Sequence, residues 1–485
     1  MKRRWHYLIL LLAGLQLMAA ALVLALPSLA QSIPGRYRVA LAERSPLLSE
    51  VTEQVIQWAA PAPELLPAPA VAQGEAVDVR AMLQETEPVA SSTRAVLPSI
   101  TPTATATAIP LPSATATGTA SAQVNVLPTA APTTAAPTAT DTPTPLPTNT
   151  PTPEPLPEQV IIEGITAVRQ YFNNCGPANL TKLLTFYGLT INQTEIATVV
   201  KPNPEDRNVS PWQMVEYVND HTPLQAGEYS NGTLDLLKEL IAAGYPVIIE
   251  KGYWPNTEGA TGWWGHYLTI FGYDDTAERF YNYDSYLGPF NGRPRLHSYD
   301  YIEQFWQQFN YNFIVIYPAD QEERVQSILG PNLLDRERMW REAAGRADEA
   351  VQADPDNLFA WFNLGTSLTR LGELTGEARY YQGGAQAFDE ARTIGLPPRM
   401  LWYQHRPYSA YLKVGRYDDV MALTDTVLRE QGGRNVEETY WYRGHALLSL
   451  GDVAAARAAY EQALVVNTNF YYAQWSLDYL NSLDE

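Results

Sequence analysis

The chain has 485 residues, 46% of them hydrophobic, and a formal net charge of −20 at pH 7. Phosphate backbones and anionic lipid headgroups both attract basic surfaces, so this charge excludes nucleic acid as a partner and argues against adhesion to headgroups. One cysteine excludes an internal disulfide. The six histidines form no pattern typical of a zinc site, so neither a metal nor another cofactor is expected.

Residues 1–30 contain an export signal. Three basic residues, Lys2, Arg3 and Arg4, precede an apolar run over residues 7–26, and a helix of that length spans about 30 Å, the hydrocarbon thickness of a bilayer. Because the basic residues stay in the cytoplasm, we expect a single-pass membrane protein whose later domains lie outside. Residues 28–30, Ser-Leu-Ala, resemble a cleavage site, so secretion after signal peptide cleavage is the alternative.

Residues 31–158 are predicted to be a disordered stalk. One short helix is expected within residues 47–65, and from about residue 91 the chain is mostly Thr, Pro and Ala with almost no charge. Such a segment buries too little apolar surface to offset its ordering entropy. In polyproline II, at about 3.1 Å per residue, the Thr/Pro/Ala part would extend up to ~200 Å. We therefore expect a spacer between the membrane and the later domains.

Residues 159–320 are predicted to fold as an α+β domain, because helices come first and antiparallel strands follow. The helices are expected to start at Cys175, Gln193 and Ser210 and to cover 233–243, and the strands are expected at 160–165, 246–251, 266–272, 279–285 and 312–317.

Cys175 is predicted to start a helix. Pro177 suits the first helical turn, and apolar residues then recur at helical spacing up to Tyr187, before Gly188. A thiol at a helix N-terminus meets the positive end of the helix dipole, which favours the nucleophilic thiolate. A buried cysteine that packs as a small hydrophobe is the alternative.

A hairpin between the strands at 266–272 and 279–285 adds a second observation. A turn centred near Asp275 places His266 directly opposite Asp284, where a carboxylate can hold an imidazole N–H. A cysteine and a histidine oriented by a carboxylate form the nucleophile, base and orienting group of cysteine hydrolases. Asp274, Asp275 and Asn282 are alternatives to Asp284.

Three blocks of sequence resemble papain-like cysteine peptidases of the bacteriocin-processing, double-glycine-leader type. They are Gln170 with Asn174-Cys-Gly-Pro-Ala, Gly265-His-Tyr-Leu-Thr-Ile-Phe-Gly, and Tyr283-Asp-Ser-Tyr-Leu-Gly, in the family's order over about a third of the chain. The resemblance implies that Cys175 is the nucleophile, His266 the general base and acid, and Asp284 the orienting residue. It also implies that Gln170 shares the oxyanion hole with the Cys175 N–H. The chain lacks the membrane and ATPase domains of the family's transporters, which argues against leader cleavage as its task.

Two tryptophans before His266, Trp263 and Trp264, are candidates to line a substrate cleft. Packing is the alternative, because tryptophan is more often a core residue than a ligand contact. An ordinary half-buried strand histidine is likewise the alternative for His266, and an exposed surface glutamine is the alternative for Gln170.

Residues 330–485 repeat a pattern similar to tetratricopeptide (TPR) repeats. The glycines at 372, 415 and 451 are 43 and 36 residues apart, near the 34-residue period of that repeat. We expect an all-α solenoid of helix pairs that begins near Asp335 and ends in a capping helix over 469–483. Such arrays bind extended peptide or protein on their concave face. A purely structural role beside the α+β domain is the alternative.

The predicted architecture is therefore multidomain: an N-terminal transmembrane helix, a disordered linker, a papain-like α+β domain and a TPR solenoid. The predicted function is a membrane-tethered, extracytoplasmic cysteine peptidase that takes a peptide or protein substrate and no cofactor. Acyl transfer is a variant of the same chemistry. A catalytically inactive binding scaffold of the same architecture is the alternative.

Overall fold

The computed structural model describes residues 66–70, 79–84, 155–253, 262–430 and 432–484, with eight isolated residues before residue 52. The predicted membrane segment 7–26 and most of the predicted stalk lie outside these ranges. Within them, no helix is both long and apolar enough to cross a bilayer. The described residues other than Pro155 belong to one compact unit.

Seven antiparallel strands form one sheet at the centre of the α+β region. Six of them follow the order β2-β7-β3-β4-β5-β6. Strand β1 pairs with the last three residues of β4, beyond the end of β3. The strands are β1 (Gln159–Ile161), β2 (Leu224–Tyr229), β3 (Val247–Tyr253), β4 (Trp264–Asp274), β5 (Arg279–Tyr283), β6 (Arg295–Ser298) and β7 (Phe313–Pro318).

Helices cover both faces of this sheet. On one face, the side chains of Ile248, Tyr267 and Ile314 pack against the first three helices of the α+β region. On the other, Ile249 and Leu268 pack against later helices, as expected from the alternation of side chains along a strand. With the short helix α1 (Val79–Gln84), the helices up to the end of the sheet are α2 (Cys175–Phe186), α3 (Gln193–Val200), α4 (Pro211–His221), α5 (Leu234–Ala242) and α6 (Tyr299–Trp306).

The C-terminal region is all-helical. After α7 (Glu322–Leu334) and α8 (Arg336–Ala353), three helix pairs follow, and a last helix lies where the capping helix is expected. They are α9 (Leu358–Thr375) with α10 (Ala378–Ile394), α11 (Arg406–Lys413) with α12 (Tyr417–Arg429), α13 (Glu437–Ser449) with α14 (Val453–Val466), and finally α15 (Tyr471–Asp484).

One hydrophobic core joins the sheet to the helical region. It contains Leu237 of α5, Leu268 of β4 and Trp306 of α6 together with Trp340 of α8 and Leu364 of α9. Apolar surface buried on both sides stabilises the association at roughly 25 cal/mol per Å². The two regions therefore form a single body in which the helices support one face of the sheet.

The hairpin turn is centred one to two residues later than predicted, because Asp274 pairs with Arg279. A bulge in β4 then shifts the register by one residue, so that Ile270 pairs with Asn282 and Gly272 with Tyr281. His266 is therefore not directly opposite Asp284, which follows the last residue of β5. The sequence also failed to predict β2, β6 and α6.

Part of the predicted stalk is ordered. Leu66 and, in α1, Val79 and Met82 are buried, so residues 31–158 are not disordered throughout. The helix expected within 47–65 lies almost entirely outside the described residues.

Two helix pairs depend on a glycine that lets an aromatic ring approach the backbone. A Cβ at Gly365 would lie 2.7 Å from the Phe388 ring, and one at Gly444 would lie 2.4 Å from the Tyr460 ring. These contacts join α9 to α10 and α13 to α14 in the same way. The close approach explains why small residues recur in the repeat pattern.

We predict that Gly444→Ala destabilises the protein by about 1–3 kcal/mol, because the added methyl overlaps the Tyr460 ring. Gly345→Ala in α8 is the matched control, since no atom lies within 4 Å of its added Cβ. Thermal unfolding followed by circular dichroism measures both. Equal effects of the two substitutions would contradict the packing described for α13 and α14.

Candidate active site

Cys175 is the first residue of α2, as the sequence predicts. Its side chain is half-buried, and its carbonyl oxygen accepts a hydrogen bond from Asn179 Nδ2 at 2.8 Å. Lys201 fixes the preceding turn by donating from Nζ to the carbonyl oxygens of Asn173 at 3.0 Å and Asp206 at 2.9 Å. Hydrogen bonds to the backbone at Cys175 and at Asn173 therefore fix the position of Cys175 at the helix N-terminus.

His266 and Asp284 form a hydrogen-bonded pair. The distance between His266 Nε2 and Asp284 Oδ1 is 3.1 Å, and the two residues are 8% and 2% exposed. The same oxygen accepts the backbone N–H groups of Tyr286 and Leu287, each at 2.8 Å. An ionised carboxylate accepts only, so Nε2–H donates, and Nδ1 is the nitrogen left for another partner.

The sulfur of Cys175 is within hydrogen-bonding reach of His266 and of the Tyr267 backbone N–H. Burial alone would raise the pKa of the thiol. The hydrogen bond and the charge of His266, the Tyr267 N–H and the charge of Lys201 together outweigh burial and bring the pKa of the thiol below its ordinary value. The site thus favours a thiolate.

His266 and Asp284 also shift each other's pKa. Burial alone would lower the pKa of His266, but the Asp284 charge and hydrogen bond, with the Cys175 contact, raise it to about 9. Burial alone would raise the pKa of Asp284. The charge and hydrogen bond of His266, the Leu287 N–H and the charge of Lys251 instead hold it well below its ordinary value. These pKa shifts all favour the combination of a thiolate, an imidazolium and a carboxylate.

Gln170 is tied to the residue that follows Asp284. Its backbone N–H donates to the Ser285 carbonyl oxygen at 2.8 Å, and its Oε1 accepts from Ser285 Oγ at 2.9 Å. Among the described residues, none accepts a hydrogen bond from its side-chain nitrogen, so that donor remains available. Ser285 Oγ in turn lies 3.5 Å from Nδ2 of Asn179, the residue that contacts the Cys175 carbonyl.

The alternatives to Asp284 lie elsewhere. Asp274 Oδ1 accepts the Ala277 N–H in the hairpin turn, at the far end of β4. Asp275 binds Lys238 and Tyr299, and Asn282 contacts His297.

Two buried lysines beside the site were missed by sequence analysis. Lys182 is fully buried and donates to Asn179 Oδ1 at 3.0 Å and to the Tyr283 carbonyl oxygen. Burial lowers its pKa to about 7, against the opposing charges of Asp284 and Cys175. Lys251 in β3 is the neighbour of His266 on the adjacent strand β4. Its ammonium group lies against aromatic rings, including that of Tyr301 at 5.2 Å. No local sequence pattern marks a lysine for burial, because its carbonyl and ring partners come from distant elements.

The predicted cleft residues contact the helical region. Trp263 is fully buried, donates from Nε1 to Gln308 Oε1 at 2.6 Å and packs edge-on against Tyr403. Trp264 is half-buried and packs against Trp402, with the Arg399 guanidinium 4.4 Å from its ring centre. A direct substrate contact by Trp263 would require it to move, whereas Trp264 keeps exposed surface.

A cavity of about 130 Å³ lies between the sheet and the helical region. Glu228 and Glu250 line it from the strands, and Tyr403 is among the residues that line it from the helices. Tyr403 also contacts Gly265, since a Cβ there would lie 2.7 Å from its ring. The helical region therefore borders the end of the sheet that carries His266. In the described part of the chain, no group of His, Cys, Asp and Glu side chains has the geometry to hold a metal.

Comparison with protein families matches residues 162–313 to the family described as "Peptidase_C39 like family". Residues 162–313 are therefore similar to this family. Comparison with curated proteins gives no match.

Three solved structures are each similar to about a third of this chain. A putative C39-like peptidase from Bacillus anthracis is 17% identical, covers 33% of this chain and 98% of its own, and has a TM-score of 0.28. A double glycine motif protease from an AMS/PCAT transporter, solved with leader peptide, is 14% identical over 33% and 99%, with a TM-score of 0.24. Xylellain, a cysteine protease from Xylella fastidiosa, is 13% identical over 34% and 87%, with a TM-score of 0.27.

The pKa directions predict an unusual pH dependence for alkylation of Cys175 by iodoacetamide. Because the thiol pKa is lowered and that of His266 is about 9, the ion pair should persist from acidic pH up to about 9. As pH falls from about 8 to 6, the alkylation rate should therefore fall less steeply than that of a free thiol, which loses about tenfold per pH unit below its pKa.

Two variants check this prediction. His266→Ala leaves burial to raise the thiol pKa, so its alkylation rate should fall at neutral pH and rise steeply in alkali. His221→Ala, at an exposed helix end, should behave like the unchanged protein. A free-thiol profile in the unchanged protein would show that no ion pair forms.

Proposed function

We propose that the C39-like region is a peptidase in which Cys175 is the nucleophile, His266 the general acid and base, and Asp284 the orienting residue. The family of residues 162–313 supports peptidase activity. The observation that carries the assignment of roles is the 3.1 Å contact between His266 Nε2 and Asp284 Oδ1, with the Cys175 sulfur within reach of the same imidazole. This arrangement combines a nucleophile, a base and an orienting group.

The proposed reaction begins with attack of the Cys175 thiolate on a peptide carbonyl carbon. An S–C bond forms, and the carbonyl oxygen becomes an oxyanion that accepts hydrogen bonds from the Cys175 backbone N–H and the Gln170 side-chain N–H. The His266 imidazolium donates its proton to the leaving amine as the C–N bond breaks. An acyl-enzyme and a free amine result.

Hydrolysis of the acyl-enzyme completes the cycle. The now neutral His266 takes a proton from water, the hydroxide attacks the thioester carbon, and the S–C bond breaks to restore the thiolate. Asp284 holds the imidazole in one orientation throughout and stabilises its charged form. The product is a peptide with a new carboxylate, and no cofactor takes part in the proposed cycle.

We further propose that the helical region helps to bind the peptide or protein substrate. Trp402 and Tyr403 pack beside the start of β4, so a substrate that reaches Cys175 would pass close to this part of the helical region. The resemblance to TPR repeats supports the same role, with a protein partner on the concave face.

The alternative is a binding scaffold without catalysis. The C39-like fold with its helical region would serve that role equally well. What favours the enzyme is that the cysteine, histidine and aspartate are electrostatically matched, which binding alone would not require.

We predict that Cys175→Ala abolishes hydrolysis of fluorescently labelled casein and labelling by a peptidyl epoxide. His266→Ala should lower the labelling rate by about 10²–10⁴-fold, because proton transfer and thiolate stabilisation are lost together. Asp284→Asn should lower casein hydrolysis while leaving the fold intact, which circular dichroism monitors.

Gln170→Ala tests the oxyanion hole separately. We expect a loss of about 10²–10³-fold in kcat with little change in KM, because the donor acts on the transition state. Asp275→Asn, in the hairpin turn, is the matched control for Asp284→Asn. Casein hydrolysis that survives Cys175→Ala, or equal labelling of all variants, would favour the scaffold.

We propose that residues 7–26 anchor this peptidase in the cell membrane with its folded unit outside the cytoplasm. The apolar run and the basic residues before it support this topology. We predict that the protein stays in the membrane fraction after carbonate extraction and keeps its original N-terminus. A mature chain that starts at Gln31 in the soluble fraction would instead establish secretion after cleavage.

A further inference from the structure

Residues 66–70, Leu-Pro-Ala-Pro-Ala, lie against the helical region and make backbone hydrogen bonds to two of its charged side chains. Arg392 of α10 donates to the Pro67 carbonyl oxygen from Nη2 at 2.6 Å and from Nε at 3.1 Å, and to the Ala68 carbonyl oxygen at 3.1 Å. Asp419 of α12 accepts the Ala70 N–H at 3.1 Å. More than 300 residues separate the two sides of this contact in the chain.

The two charged residues belong to a prearranged network. Arg392 is 4% exposed and Asp419 is 2% exposed, and Arg392 Nη1 contacts Asp419 Oδ1 at 2.8 Å. Tyr411 of α11 accepts from Arg392 and donates to Asp389, which Arg416 also binds. These neighbours hold the guanidinium in place, so little side-chain entropy is lost when the segment binds.

The chemistry of the site matches a proline-containing segment. Pro67 and Pro69 lack N–H donors, so the segment mainly offers carbonyl acceptors, and a guanidinium provides donors in a fixed fork. Residues before proline favour extended backbone, which suits such a contact. Leu66, at 6% exposure, is the buried apolar side chain of the segment. The site therefore recognises an extended backbone that follows a buried leucine and carries no charged side chain.

A second contact involves the next described segment of the chain's N-terminal part. Val79 and Met82 of α1 are buried in the core that includes Leu368 and Tyr380. Arg80 Nη2 donates to Gln352 Oε1 at 2.8 Å. At Gly383 of α10, an added Cβ would lie 3.0 Å from Met82 Cε, so the helix sits where α10 has no side chain.

We propose that the helical region binds residues 66–70 and 79–84 of its own chain as a cis ligand, with Arg392 and Asp419 as the peptide-backbone site. Pro157, at the other end of the intervening segment, is also held by the same unit, because its carbonyl oxygen accepts from Tyr273 OH at 2.8 Å. The parts of the chain on both sides of residues 85–156 are therefore bound to the same folded unit. These residues do not act as a spacer between that unit and the membrane. A cut within that segment leaves the two pieces joined non-covalently.

This inference changes the expected reach of the tether. If residues 7–26 are the anchor, only residues 27–65 separate it from the folded unit, instead of the whole Thr/Pro/Ala-rich stretch. In polyproline II, that length extends to about 120 Å at most. The inference does not depend on the proposed peptidase activity.

The test uses the full chain in detergent, with a site for a specific protease inserted after Ala120 and an affinity tag at the C-terminus. After cleavage, the C-terminal piece is captured and washed, and the N-terminal piece that remains bound is measured by immunoblot over time. We expect the N-terminal piece to be retained. Ala70→Pro, which removes the N–H bound by Asp419, should speed its release by about tenfold or more.

Variants on the N-terminal piece keep the test independent of folding of the helical region. Met82→Asp places a charge in the apolar contact, and combined with Ala70→Pro it should abolish retention. Ala90→Pro, between the two bound segments and the cleavage site, is the matched control for Ala70→Pro and should be retained like the unchanged piece. Prompt release of the unchanged piece would overturn the proposal. Unaltered retention with Ala70→Pro would overturn the role of Arg392 and Asp419.

Discussion

One carboxylate oxygen, Asp284 Oδ1, determines the electrostatics of the whole site. It accepts His266 Nε2–H and two backbone N–H groups within 3.1 Å, while the residue is almost fully buried. Three donors keep it ionised in spite of burial. Its charge then favours the imidazolium form of His266, and that cation favours the thiolate of Cys175. The backbone turn after β5, which supplies both N–H groups, is therefore as necessary to the proposed chemistry as the three side chains.

Much of this site could be predicted from local sequence, but its geometry could not. Pro177 and the apolar spacing after Cys175 define α2 because capping and helical periodicity are local properties. The pairing of His266 with Asp284 was predicted from a hairpin turn near Asp275, but the turn lies one to two residues later, and the contact forms because Asp284 lies just beyond the end of β5. The buried Lys182 and Lys251 could not be foreseen, since their partners come together only in the folded protein.

The helical region does more than follow the C39-like region in sequence. It shares a core with one face of the sheet, and Trp402 and Tyr403 pack beside the strand that carries His266. Its other contact, through Arg392 and Asp419, holds a segment from the N-terminal part of the chain. One scaffold thus connects the candidate catalytic residues to the part of the chain that leads toward the proposed anchor.

Nuclear magnetic resonance of the protein labelled with ¹⁵N-histidine measures the protonation state of His266 directly. The account predicts an imidazolium at pH 7 that loses its proton near pH 9, and a lower pKa in Cys175→Ala, where the thiolate is absent. A neutral His266 at pH 7 whose pKa is unaffected by Cys175→Ala would contradict it, because sulfur and imidazole would then share no proton equilibrium.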